Sequence, residues 1–382
     1  MSKIKDFVNS LSVRQIVFSL ITIISLLIFA VLTIWAENKT KGLADQQAAL
    51  RWDSEGKYAQ VTGFFSRDVK LDEFMIRSYE KQLEGALQEA GALSANTSNT
   101  EAEGGEGEKN ADARLYVDAY SSLGKIDIES EKGKLSANAV GIGGDFFIFH
   151  PVQMVSGGYF SGNDLMKDWI ILDEDGAWQL FGSNDIEGKS VWIGNIPHYV
   201  AGVFKRESGR MAENAGLGSA LVYLSNESLQ KYGTSEGINT YEVLAPNPVK
   251  GFLANNMREK FGISEGGDKN ERQMLVVDNT ARYSLEALIP VVLDFGTRSM
   301  QNYSIHYPYW ENIARGFEDI RAVTLVFQFL FLLIPTVIII VFLIIKWKNR
   351  SFTWRDAGNK LVSIKDSAVS KIRGEKKKWE HF

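Results

Sequence analysis

A nucleotide site is the first chemistry to consider, because Ser183–Ser190 reads SNDIEGKS. A phosphate-binding loop begins with glycine, and its GK[ST] ending lies between a strand and a helix. Here serine occupies the first position, and the following residues, VWIG, indicate a strand. The motif therefore does not predict a nucleotide site.

The sequence also lacks the patterns that would predict a metal site or a catalytic nucleophile. The chain has four scattered histidines, none of which pairs with another at metal-binding spacing: His150, His198, His306 and His381. The acidic run at Asp173 lacks the alternating acids of a calcium loop, so we interpret it as a solvated turn. No serine lies in GxSxG, and the chain has no cysteine. We predict no catalytic, cofactor or metal site, and no enzyme.

The elements that frame the chain are two uncharged apolar runs, at residues 16–35 and 322–345. A 24-residue helix at about 1.5 Å per residue is long enough to cross about 30 Å of hydrocarbon. We predict transmembrane helices over 15–36 and 322–345, with Pro335 kinking the second. The first run exceeds the roughly 7–15 apolar residues of a signal peptide, so we expect it to be retained.

Charge predicts the orientation of these helices. The first 14 residues carry a net charge of +2, the tail 346–382 carries +7, and the chain as a whole carries −5. Positive flanks stay in the cytoplasm, so both termini are expected inside a bacterial cell, with residues 37–321 outside. The basic tail is expected to lie on anionic lipid and not on nucleic acid.

The segment between the helices predicts an α+β domain at 58–308, because strand-like and amphipathic helical stretches alternate in it as small strand–helix sandwich units. Residues 58–66 and 137–149 are strand-like, and residues 71–91 indicate an amphipathic helix. Within it, the acidic, glycine-rich residues 95–112 predict a disordered loop. Residues 37–57 and 309–321 are expected to form stalks next to the membrane helices. Three residues at helical spacing, Ile313, Phe317 and Ile320, form a packing face in the second stalk. They pack either on the protein's own first helix or in a stalk that couples the domain to the membrane.

Residues 156–206 are a series of short units. A turn enters an aromatic residue at Gly158–Phe160, and a buried strand follows at 169–172. A short helix ends at Phe181 and Gly182. A turn at Gly188 and Lys189 then leads to a strand and to a second strand that contains Gly202 and Val203.

This order resembles the extracytoplasmic core domain of MacB/FtsX-like ABC permeases. That pattern has a Gly-Arg-Phe-Phe-like entry, a strand, a helix ending in Leu-Phe-Gly, a Val-Gly-Lys-Thr-like turn and a Val-x-Gly-Val strand. The matching residues include Gly158, Phe160, Phe181, Gly182, Gly188, Lys189, Gly202 and Val203. The resemblance implies structural roles for them. Family permeases normally carry three membrane helices after this domain, whereas one apolar run follows it here.

We therefore expect a non-catalytic membrane subunit that couples an outer domain to an ATPase-bearing complex. The resemblance implies an ABC ATPase or a fuller permease as partner, in a dimer or hetero-oligomer. The outer domain would bind a peptide, a lipid or an envelope protein. Two alternatives remain open: a two-helix scaffold that regulates polysaccharide chain length, for which long outer helices are expected, and an extracellular sensor.

Overall fold

A computed structural model describes residues 12–92, 115–263, 271–295, 304–348, 362, 363 and 365. The predicted loop 95–112, residues 1–11 and most of the basic tail lie outside the described residues. The chain divides into two compact units. We call Trp35–Thr324 the globular unit, and Met1–Ile34 with Leu325–Phe382 the helical unit.

Two helices are long and apolar enough to cross a membrane, Val13–Lys41 and Tyr309–Lys348, and the predicted spans fall within them. Inside the helical unit, Gln328 Nε2 donates a hydrogen bond to Thr33 Oγ1 at 2.9 Å, and Ser25 Oγ donates to the Phe331 carbonyl. Such polar contacts join helices in lipid, where apolar burial gives no drive to associate. The second helix continues through Pro335, and the kink there stays a prediction.

The strands of the globular unit form one ten-stranded sheet. The described strands are β1 Tyr58–Phe65, β2 Val117–Glu129, β3 Lys134–Gly144, β4 Gln153–Gly157, β5 Trp169–Asp173, β6 Ser190–Ile193, β7 Ile196–Lys205, β8 Leu221–Ser225, β9 Thr234–Pro246 and β10 Met274–Asp278. Their order in the sheet is β10-β1-β9-β2-β3-β8-β5-β7-β4, with β6 pairing β2 and β7. The pairs β3–β8 and β5–β7 are parallel, and the remaining pairs are antiparallel.

Helices cover this sheet and connect its strands. The α-helices are α1 Val13–Lys41, α2 Ala48–Trp52, α3 Glu73–Glu89, α4 Phe146–Phe149, α5 Glu174–Phe181, α6 Arg210–Ala212, α7 Asn226–Tyr232, α8 Phe252–Phe261, α9 Leu285–Leu293 and α10 Tyr309–Lys348. Short 3-10 turns lie at Ala44–Gln46 and Arg67–Val69, and a π-helical turn at Glu213–Leu217. The predicted α+β class is confirmed, and a single sheet joins its strand–helix units.

Three details differ from the sequence interpretation. The β character read over 137–149 ends at Gly144, because residues 146–149 turn into a helix that buries two phenylalanines. The first long helix ends at Lys41, and α2 then packs Ala48 and Ala49 into the core. Asp173 is not in a solvated turn: it is buried, accepts a hydrogen bond from the Gly176 amide at 2.8 Å and pairs with Arg206.

Candidate functional site: a buried polar network

The neighbouring strands β1 and β9 present two chemically different faces. Alternate residues, Val61 on β1 and Val243 on β9, point into an apolar cluster that α3 and α8 cover. On the opposite face, Thr62 lies directly opposite Glu242 in the antiparallel register, and both side chains are buried. Because successive side chains of a strand point to opposite faces, this polar pair lies on the other side of the sheet from the apolar cluster, and we call that side the polar face.

His150 joins the polar face to the segment that follows the first long helix. Its Nδ1 lies 3.0 Å from Asp45 Oδ1, and its Nε2 contacts Glu242 Oε2. Thr62 Oγ1 donates to the other Glu242 oxygen at 2.9 Å. The His150 ring is fully buried, with its centroid 4.2 Å from that of Trp310 at the start of α10.

Arg282 is the centre of the second half of the site. Its guanidinium donates two hydrogen bonds to Glu311, at 2.6 and 2.8 Å, and a third to Glu318 at 2.5 Å. Arg315 Nε donates to Glu311 at 2.7 Å, and its guanidinium carbon lies 3.6 Å from the Tyr307 ring centroid. A bidentate arginine–carboxylate pair fixes both distance and orientation.

Asn279 connects the two halves. Its Nδ2 donates to Thr62 Oγ1 at 2.9 Å, and its Oδ1 accepts a hydrogen bond from Arg282 at 3.1 Å. A continuous hydrogen-bonded path thus runs through the protein interior. We call this set the polar network; its members are Asp45, Thr62, His150, Glu242, Asn279, Arg282, Glu311, Arg315 and Glu318.

Electrostatics holds the cationic members of the network in their charged forms. Burial lowers the pKa of His150, but Glu242 and the hydrogen bonds to Asp45 and Glu242 outweigh it and raise the pKa to about 9. Burial likewise opposes the charge on Arg282, and Glu311 with Glu318 raises its pKa. His150 is therefore protonated at neutral pH, and each carboxylate it contacts gains a charge-assisted hydrogen bond.

The polar network joins the segments next to both apolar runs to the sheet. Asp45 lies four residues after the end of α1, and Glu311 and Glu318 belong to α10 ahead of its apolar run. The network ties both segments to the same two strands. Among the described residues no group of three or more histidine, aspartate or glutamate side chains could hold a metal ion.

The motif residues from the sequence analysis lie in a different part of the globular unit. Val203 is fully buried in the apolar cluster beneath β5 and β7, and Phe160 is buried in a neighbouring cluster. Phe181 packs at the edge of the first cluster, and Lys189 Nζ lies 5.6 Å from its ring centroid. These side chains pack a core, and they remain candidates for structural roles only.

Backbone geometry explains why glycine occupies three of the four glycine positions in the motif. Gly182 ends α5 with φ 72°, and Gly188 has φ 75°, a region that L-residues with side chains rarely adopt. A Cβ at Gly202 would approach the Ser156 carbonyl to 2.7 Å and Met154 more closely. Gly158 has open space around it.

The stalk residues of α10 pack against the globular unit's own core. Ile313 is buried in the cluster that contains Trp310, and Phe317 packs on it; Ile320 is half-buried. The packing-face interpretation fits this placement, and a coupling role for the three residues stays a prediction.

The sequence analysis missed the network almost entirely. It named His150 only as scattered and did not single out Thr62 or Glu242. The available signal was the alternation of polar and apolar residues in YAQVTGFF, which an antiparallel strand with one solvated face would also show. Burial of both faces, which required a second covering layer, was not readable from that strand alone.

Comparisons with known proteins support the resemblance. No protein-family model matches the chain. A 71-residue segment is 30% identical to the macrolide export ATP-binding/permease protein MacB of Chromobacterium violaceum, covering 18% of this chain and 11% of that relative. This match confirms the predicted resemblance to MacB-like permeases.

Two solved structures are also similar. The periplasmic region of MacB from Actinobacillus actinomycetemcomitans is 14% identical, with a TM-score of 0.36 over 63% of this chain and 94% of that one. The extracellular domain of the ABC-type transporter YknZ from Gram-positive bacteria is 17% identical, with a TM-score of 0.32 over 57% and 99% of the two chains. The chain thus has two helices long and apolar enough to cross a membrane, and it shares similarity over 71 residues with a MacB permease.

Proposed function

We propose that this chain is a non-catalytic membrane subunit that transmits movement between an extracytoplasmic domain and a membrane-bound ABC ATPase complex. Both termini lie in the cytoplasm of a bacterial cell, and the globular unit lies outside. The ATPase, or a fuller permease that carries it, is the partner in a dimer or hetero-oligomer. A peptide, a lipid or an envelope protein is the class of ligand for the globular unit.

The observation that carries this proposal is the polar network. Energetic coupling between distant parts of a protein is carried by packed side chains, hydrogen-bond and salt-bridge networks and rigid elements. Three ion-paired hydrogen bonds from Arg282 reach the start of α10, and two contacts of His150 join the segment after α1 to β9. Burial excludes the solvent that would weaken these contacts.

The chain-length scaffold finds less support. That class requires long helices outside the membrane. Among the described residues between the two apolar runs, the longest helix that lies wholly within the globular unit is Glu73–Glu89, with 17 residues. It packs on the sheet and does not project from it.

The test is affinity capture of the tagged full chain from native membranes in a mild detergent, followed by reconstitution in nanodiscs. We expect an ABC ATPase to copurify and to hydrolyse ATP. The variant Thr62→Val keeps the shape of the side chain and removes the hydroxyl that links Glu242 to Asn279. We expect it to retain capture and to change the ATPase rate several-fold.

The matched control is Thr234→Val, which removes an exposed threonine hydroxyl bonded to the Lys125 carbonyl at 3.3 Å. It should capture the ATPase and leave its rate unchanged. Capture of neither an ATPase nor a permease would refute the proposal. Equal rates for Thr62→Val and the wild type would refute the role of the network while leaving the assembly intact.

A further inference from the structure

The helix α9, Leu285–Leu293, carries an apolar stripe that no described residue covers. Leu285, Ile289 and Leu293 recur every four residues, so they lie on one side of the helix, and they are 61%, 49% and 79% exposed. Phe295, just beyond the helix, is half exposed. The helix has one charged residue, Glu286, and only Leu288 among its residues is buried. An amphipathic helix in a soluble domain would bury this stripe.

The start of α9 is tied to α10 close to the apolar run. Two residues before the N-cap Ser284, Arg282 donates to Glu318 at 2.5 Å, and Tyr283 OH donates to the Ala314 carbonyl at 3.4 Å. Glu318 precedes the uncharged stretch 322–345 by four residues, about one turn or 6 Å of helix. The stripe therefore begins within reach of the bilayer surface.

The charges around the stripe are compatible with a lipid surface. Glu286 pairs with Lys250 Nζ at 2.6 Å, so this carboxylate has its own counter-ion at the edge of the stripe. Next to Lys250, Val249 is another exposed apolar side chain. A helix that presents an apolar stripe can lie in the membrane interface with that stripe at the boundary of headgroups and acyl chains.

We propose that α9 docks on the bilayer surface, with Leu285, Ile289 and Leu293 inserted at the level of the lipid headgroups. The lipid bilayer is the occupant because α10 continues into the apolar run only one turn beyond its contact with Arg282. The helix would then act as a second membrane contact of the globular unit. This inference depends on α10 spanning the membrane, and it is independent of any ATPase partner.

Because the chain has no cysteine, single-cysteine labelling of the full chain provides the test. A nitroxide at Ile289→Cys, in nanodiscs of phosphatidylcholine and phosphatidylglycerol, should collide with oxygen more and with a water-soluble nickel chelate several-fold less than an aqueous label. The control is Leu165→Cys, at a fully exposed leucine between β4 and β5, which should behave as an aqueous label.

The two collision partners separate the occupants, because oxygen is concentrated in hydrocarbon and is excluded from a packed protein interface. Low nickel collision with raised oxygen collision at Ile289→Cys supports lipid docking. Low collision with both reagents overturns the proposal in favour of a protein partner or a second copy. Equal accessibility of the two labels in nanodiscs also overturns it. A label at Leu293→Cys repeats the measurement if the first variant folds poorly.

Discussion

Two regions of the globular unit are stabilised by opposite means. Beneath β5 and β7, the motif residues belong to a cluster made of aliphatic side chains, with Leu172, Leu180 and Val203 fully buried. On the polar face of β1 and β9, the interior is instead occupied by carboxylates, two arginines and a protonated histidine. The aliphatic packing of the first region does not involve charge, whereas the second region depends on every partner keeping its charge.

The two regions differ in how the stability of the protein responds when one side chain is removed. An apolar core loses stability gradually, according to the volume removed. A buried ion network instead fails sharply when one partner is lost, because the remaining charge has neither water nor a counter-ion. The network lies on the segments adjoining the two apolar helices, and the motif region lies elsewhere in the sheet. The polar network is therefore separated from the apolar packing of the motif region.

The largest effect is expected from Arg282→Ala. Removing the guanidinium leaves Glu311 and Glu318 buried without their main partner, and we expect a loss of about 3–5 kcal/mol in the free energy of unfolding. Urea denaturation of the full chain in nanodiscs, followed by tryptophan fluorescence, measures it. Lys250→Ala breaks an exposed pair with Glu286 and should leave the midpoint unchanged. Equal midpoints for both variants would contradict a structural role for the network.

Leu172→Ala tests the apolar region by the same assay. It opens a cavity in a fully buried cluster, so we expect a loss of about 3 kcal/mol. The cost should be the same at pH 6 and pH 9, because no titrating group is involved in the contact. A pH-dependent cost would mean that the two regions are not separate in the way their chemistry indicates.

The pH dependence of the network itself is the next largest effect. The His150 pKa is raised from 6.5 to about 9, so its contribution is fully present below pH 6.5 and is lost as the pH rises through about 9. We expect a loss of about 2–3 kcal/mol over that window. His150→Gln should flatten the curve relative to the wild type, because the glutamine side chain does not titrate. Parallel curves for wild type and His150→Gln would refute this prediction.

The smallest effect concerns the turn after α5. Gly182 has φ 72° and open space around its Cα, so Gly182→Ala meets no atom but forces an L-residue into the left-handed region. We expect a loss of about 1 kcal/mol, measured as a shift of the urea midpoint. Gly158→Ala, at a glycine without positive φ and also in open space, is the matched control and should shift the midpoint less.

The elements that could be predicted from the sequence are mainly those with an apolar side, and the polar contacts could not be predicted. Apolar periodicity predicted β1, α3, α5 and the strands of the motif region, because each of them buries a side set by its own repeat. The same rule failed at Phe146–Phe149, where a run of aromatic residues fits a strand or a short helix equally well. The interpretation of Asp173 as part of a solvated turn was also wrong, because an acidic run gives no sign that Arg206 will pair with it.

The sequence by itself determined the two apolar helices, the charge pattern around them, the α+β class and the resemblance to MacB-like permeases, because hydrophobicity and local motifs are properties of neighbouring residues. Only the tertiary structure decided the polar network. Asp45, His150, Glu242 and Arg282 lie far apart in the chain, and nothing local distinguishes a buried charge from a solvated one. Their pairing depends on which strands become neighbours and on what covers them, and those are outcomes of the whole fold.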